Sequence, residues 1–93
     1  VQISGRISSY ELSDKLPQSL DERILYLFAS RGLSEIQAQS LLGVIRGRTT
    51  REIASHLGYS SSSISAARSS GYKILGISSR DELVDFVSHG LGM

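Results

Sequence analysis

At 93 residues and 40% hydrophobic content, the chain suits one small domain with a single modest core. No run approaches the roughly 18 apolar residues of a membrane span, and no signal-peptide pattern is present, so the expectation is a cytoplasmic chain without membrane contact. Cysteine is absent, which excludes disulfides and thiolate metal sites, and a net charge of +1 argues for no charged partner until it is partitioned along the chain.

Residues 1–19 are polar, weakly periodic and hold the only proline, Pro17, and they read as a linker or flexible arm. Val1 at the start fits either an excised piece of a longer chain or one trimmed of its methionine. Residues 20–32 read as a lead-in helix. Over Asp21 to Ser30 the apolar residues Ile24, Leu25, Leu27 and Phe28 cluster, Asp21 and Glu22 suit the N-terminal dipole, and Arg31-Gly32 ends the run.

Three capping-box spacings then mark helix starts: Ser34 with Gln37, Thr49 with Glu52, and Ser79 with Glu82. The first run is expected to bury Leu41, Val44 and Ile45 and to stop at Gly47. The second, short, is expected to bury Ile53, Ala54 and Leu57. A further run begins near Ser61, offers Ile64, Ala67 and Ile74 to the core, and closes at Leu75. The last starts at Arg80 and places Leu83, Val84 and Val87 on one stripe, leaving Phe86 on another side. Of these, Ile53, Leu57, Ile64 and Leu75 are expected to be nearly fully buried, since they hold the second and third of these helices together. No segment alternates with period two, so the fold class is all-α.

The middle of the chain has a distinctive layout: TTREIASHL, then Gly58-Tyr59-Ser60, then SSSISAAR. A short helix, a glycine-containing turn and a second helix make a helix-turn-helix, whose second helix enters the DNA major groove. Serine clusters are usually loops, but Gly58 and Ile64 flank this one at helix-turn-helix spacing. Charge agrees. From Leu42 to Ile77, Arg46, Arg48, Arg51, Arg68 and Lys73 face Glu52 alone, whereas the remainder is net acidic. A polyanion partner favours that asymmetry, although a solvated surface with uneven charge explains it too.

From Leu33 to Val87 the chain resembles, without a gap, the C-terminal DNA-binding domain of the LuxR family of bacterial transcription regulators, also found in NarL-like response regulators. The resemblance is carried by Leu33-Ser34, Gly47, Arg51-Glu52-Ile53-Ala54, Leu57-Gly58, Ser60, Ser63-Ile64, Leu75-Gly76-Ile77 and Ser79-Arg80-Asp81-Glu82-Leu83. The Leu-Gly-Ile and Ser-Arg-Asp-Glu-Leu ending favours this family over sigma-factor region 4. It implies a four-helix domain over residues 33–93 with an additional N-terminal helix, and double-stranded DNA as partner. The recognition helix would span about Ser61 to Ile74. By resemblance, Ser62, Ser65, Ala66 and Ser69 would face the groove with Arg68 nearby, while Thr50, Arg51, Ser61, Ser63 and Lys73 would contact the backbone. Apart from the resemblance, Phe86 off the core stripe of the last helix, with Leu91 beyond it beside the Gly-Leu-Gly-Met tail, suggests a partner surface, and the expectation is a homodimer through the C-terminal helix with Phe86 and Leu91 at its interface. Five positions depart from the family pattern: Ser65 stands for a lysine, Ala67 for a histidine, Gln37 for a glutamate, and Ser40 and Gly71 for aliphatic residues.

Catalysis is not expected. His56 and His89 lack metal-ligand spacing, no Gly-x-Ser-x-Gly elbow occurs, and no glycine-rich loop follows a strand, so neither metal nor cofactor is implied. The alternative to a DNA-binding regulator is a helical protein-interaction or dimerisation module with weak or lost DNA binding. The thinned basic content of the recognition helix permits it, and an apolar edge at Phe86, Leu91 and Met93 would serve either reading.

Overall fold

The computed structural model describes residues 19–92, which form five helices and no strand: α1 (Leu20–Ser30), α2 (Glu35–Ile45), α3 (Thr50–Leu57), α4 (Ser61–Leu75) and α5 (Arg80–Gly90). The all-α expectation holds for these residues. The arm expected over residues 1–19 lies outside them except for Ser19, and Met93 lies outside them too. No helix among the described residues is long and apolar enough to cross a membrane.

Side-chain caps set where the helices begin. Ser34 with Gln37 and Thr49 with Glu52 form complete capping boxes, each serine or threonine oxygen accepting from the amide three residues on. A further box, Ser19 with Glu22, starts α1 and was not singled out from the sequence. At α5 the expected box is only half made. Ser79 accepts from the Glu82 amide, but the Glu82 carboxylate accepts from the Ser78 amide at 2.7 Å instead of returning to Ser79.

Helix α2 is the hub and touches all four others. Its Leu41, Leu42 and Val44 join Ile24 and Phe28 of α1 with Leu83 and Val87 of α5 in the larger apolar cluster. The lead-in helix is therefore part of the main core. A smaller cluster of Ile53, Ala54 and Ile64 holds α3 against α4, with Ile36 and Leu57 packed on it. Arg80, at the start of α5, donates from Nε to the Val44 carbonyl at 3.2 Å and from Nη2 to the Ile45 carbonyl at 3.4 Å. These carbonyls are among the last of α2, which have no intrahelical partner.

Several core expectations need correction. Ile53 and Ile64 are buried, but Leu57, Leu75 and Ile45 are only half-buried. Ile74 is 47% exposed: the buried line of α4 runs through Ile64, Ala67 and Gly71, leaving Ile74 on its flank near the helix end. Val84 is exposed because α5 is turned so that Phe86 flanks the Leu83–Val87 line in its place. An aromatic ring buries more apolar area than a valine, and the turn brings Phe86 onto α1. Gly71 is no void either. A Cβ there would stand 3.1 Å from Leu41 Cδ1 and 3.6 Å from Leu33 Cδ2, so these two leucines already occupy the space an aliphatic residue would need. Ser40, the other departure, is fully buried, and its hydroxyl has no hydrogen-bond partner among the described residues.

Candidate nucleic-acid interface

Helices α3 and α4 are joined by the three residues between Leu57 and Ser61. Gly58 takes the left-handed conformation, φ +80°, which a side chain would strain, and the Gly58 and Tyr59 amides both donate to the Ala54 carbonyl. Ser60 then caps α4. Its hydroxyl accepts from the Ser63 amide at 3.2 Å and lies 2.9 Å from the Ser63 hydroxyl and 3.2 Å from that of Ser62. The serine run is thus the first turn of a helix, not a loop.

On α4 the buried residues are Ile64, Ala67 and Gly71. At 100° per residue, Ser62, Ser65, Ala66, Ser69 and Lys73 fall on the opposite side, and all five are exposed. Ser61 and Ser63, also exposed, complete the first turn. On α3, Arg51 is exposed and Thr50 is half-buried. The sequence-predicted residues thus occupy one side of α4 and the first turn of α3.

Arg68 behaves differently. It is half-buried, and its Nη1 donates to Thr50 Oγ1 at 2.6 Å, tying the middle of α4 to the start of α3. A second cross-helix bond comes from α2, where Gln37 Nε2 donates to Ser70 Oγ at 2.8 Å. The Ser70 hydroxyl in turn donates to the Ala66 and Ala67 carbonyls, at 3.0 and 3.2 Å. Sequence reasoning did not single out this Gln37–Ser70 bond. The available signal was the amide of Gln37 standing for a carboxylate, since a carboxylate has no hydrogen to donate.

The positive charge of the segment is also redistributed. Arg46 is ion-paired with Asp21 of α1, so it is not a free cation, while Arg48, Arg51 and Lys73 are exposed. His56 and His89 are exposed, and among the described residues no three His, Asp or Glu side chains come together as metal ligands.

The apolar edge expected on α5 takes another form. Phe86 is half-buried and stacks on Phe28, with ring centroids 6.4 Å apart and planes 15° from parallel, and the Arg31 guanidinium lies 5.1 Å from its centroid. Leu91 is half-buried against the main core, and its carbonyl accepts from Arg23 Nη2 at 3.4 Å. Both side chains are thus half-buried within the chain, Phe86 against α1 and Leu91 against the main core. Comparison with protein-family models, with curated proteins and with solved structures finds no match to this chain.

Proposed function

We propose that this chain is a sequence-specific DNA-binding domain of a cytoplasmic transcription regulator, akin to the LuxR-type domain, with α4 lying in the major groove of double-stranded DNA. The observation that supports this reading most is the α3–turn–α4 unit. A left-handed Gly58 and a Ser60 cap join two helices, and the second presents one exposed side of short polar residues together with Lys73. In this reading α3 lies across the phosphate backbone, where Thr50 and Arg51 contact phosphates, and Ser61, Ser63 and Lys73 do so from α4.

Fluorescence anisotropy with mixed-sequence duplex DNA tests the reading. Phosphate contacts release condensed counterions, so affinity should fall steeply between 50 and 200 mM salt. Absence of binding at low salt would overturn it. A second reading, a helical protein-interaction module, is favoured by an apolar groove of about 290 Å³ between α1 and α2, lined by Leu25, Ala29, Leu33 and Ala38. It takes over if no duplex binds.

A further inference from the structure

We infer that Arg68 is a positioning residue, not a base reader, and that base preference on this surface is exercised through contact of the Ala66 methyl group with the C5-methyl of thymine. This inference rests on the DNA-binding reading above. Arginine reads guanine by presenting two donors in one plane to O6 and N7, the commonest specific contact in the major groove. Arg68 is the only arginine on α4, and its Nη1 is held by Thr50 Oγ1 at 2.6 Å in a half-buried position. That bond turns the guanidinium toward the first turn of α3 and ties the two motif helices together.

What remains on the outward side ahead of Lys73 is Ser62, Ser65, Ala66 and Ser69. A hydroxyl donates or accepts, so serines separate the bases poorly. Ala66 is the one residue of the four with a purely apolar side chain, and the thymine methyl is the one apolar group on the major-groove edge of the bases. The short side chains also let the helix backbone approach the base edges closely enough for a methyl–methyl contact.

The experiment uses the full chain. Bound duplexes are selected from a random pool, and each thymine of the preferred site is then replaced by deoxyuridine, which deletes only the methyl. The replacement should weaken binding about fourfold at the contacted thymine, the value for one buried methyl-sized group, and little elsewhere. Ala66→Gly should abolish that difference. Thr50→Val, which removes the acceptor of Arg68, and Arg68→Ala should each lower affinity for all duplexes by a common factor with the selected sequence unchanged, and the double variant should lose less than the two single losses combined, as residues that act through one bond do. A guanine in the selected site whose preference disappears with Arg68→Ala would overturn the inference, as would a site indifferent to every deoxyuridine replacement. The deoxyuridine measurement needs no protein variant, so misfolding of one does not blunt it. Failure to bind any duplex at low salt instead defeats the DNA-binding reading, and this inference with it.

Discussion

Phe86 of α5 stacks on Phe28 of α1, although almost the whole domain separates them in sequence. The stack joins the first and last helices, and Arg31 closes over its outer side. Phe86→Asp should therefore destabilise the monomer by about 2–4 kcal/mol, through lost apolar burial and a desolvated carboxylate. Thermal unfolding followed by circular dichroism checks this. A variant that keeps its melting temperature would show that the aromatic pair contributes nothing to the core.

The two isoleucines of α4 provide an internal comparison. Ile64 has no exposed surface whereas Ile74 is nearly half exposed. Ile64→Ala should cost about 2–5 kcal/mol, the range for a buried aliphatic truncation, and Ile74→Ala less than about 0.5 kcal/mol. Urea denaturation midpoints of the two variants measure the contrast. Equal losses would mean that α4 is rotated from the orientation described.

At Gly71 the resemblance and the packing give opposite expectations. The family pattern suggests that an aliphatic residue would improve the core, yet the Leu41 and Leu33 side chains already stand against the glycine. Gly71→Leu should destabilise by about 1–3 kcal/mol despite the better helix propensity of leucine, because overpacking forces off-rotamer side chains. A rise in stability on chemical denaturation would count against this account.

The buried Ser40 hydroxyl has no partner among the described residues, and such a group costs about 1–3 kcal/mol of desolvation. Ser40→Ala removes the cost and leaves little cavity. The melting temperature should rise, by an amount corresponding to about 1 kcal/mol. A fall would reveal a hydrogen bond that the hydroxyl makes in solution.

For the proposed interface, Arg51→Ala should weaken binding to all duplexes alike and reduce the salt slope by about one unit, as removal of one phosphate contact does. Ser65→Lys adds a cation to the exposed side of α4 and should raise affinity across sequences. Anisotropy titrations on selected and scrambled duplexes at two salt concentrations measure both. A change confined to one sequence would place either residue at a base edge.

Most of the helix plan was legible in the sequence, for a physical reason. Capping and helix termination are local, so Ser34, Thr49, Gly58 and Ser60 announce their roles within four residues of themselves. What was not legible depends on how helices are turned against one another. Val84 and Phe86 sit at similar angular offsets on opposite flanks of the Leu83–Val87 line, and only the presence of α1 decides which one is covered. The bonds from Arg68 to Thr50 and from Gln37 to Ser70 likewise join elements whose crossing geometry no local spacing encodes. Exposure of Ser62, Ser65, Ala66 and Ser69 was legible, because it follows from the phase of Ile64, Ala67 and Gly71 along a single helix.

The clasp between α1 and α5 bears on the order in which the domain assembles. Arg23 and the Leu91 carbonyl are 68 residues apart in sequence, whereas the α3–α4 contacts close over a short turn. Closing the longer loop costs more chain entropy and is repaid only once Ile24, Phe28, Leu83 and Val87 meet. The α1–α2 and α3–α4 pairs, each closed over a short connection, can therefore form early as local units, with α5 docking afterwards. Backbone amides of α5 should then exchange with solvent as one cooperative group, opening ahead of global unfolding.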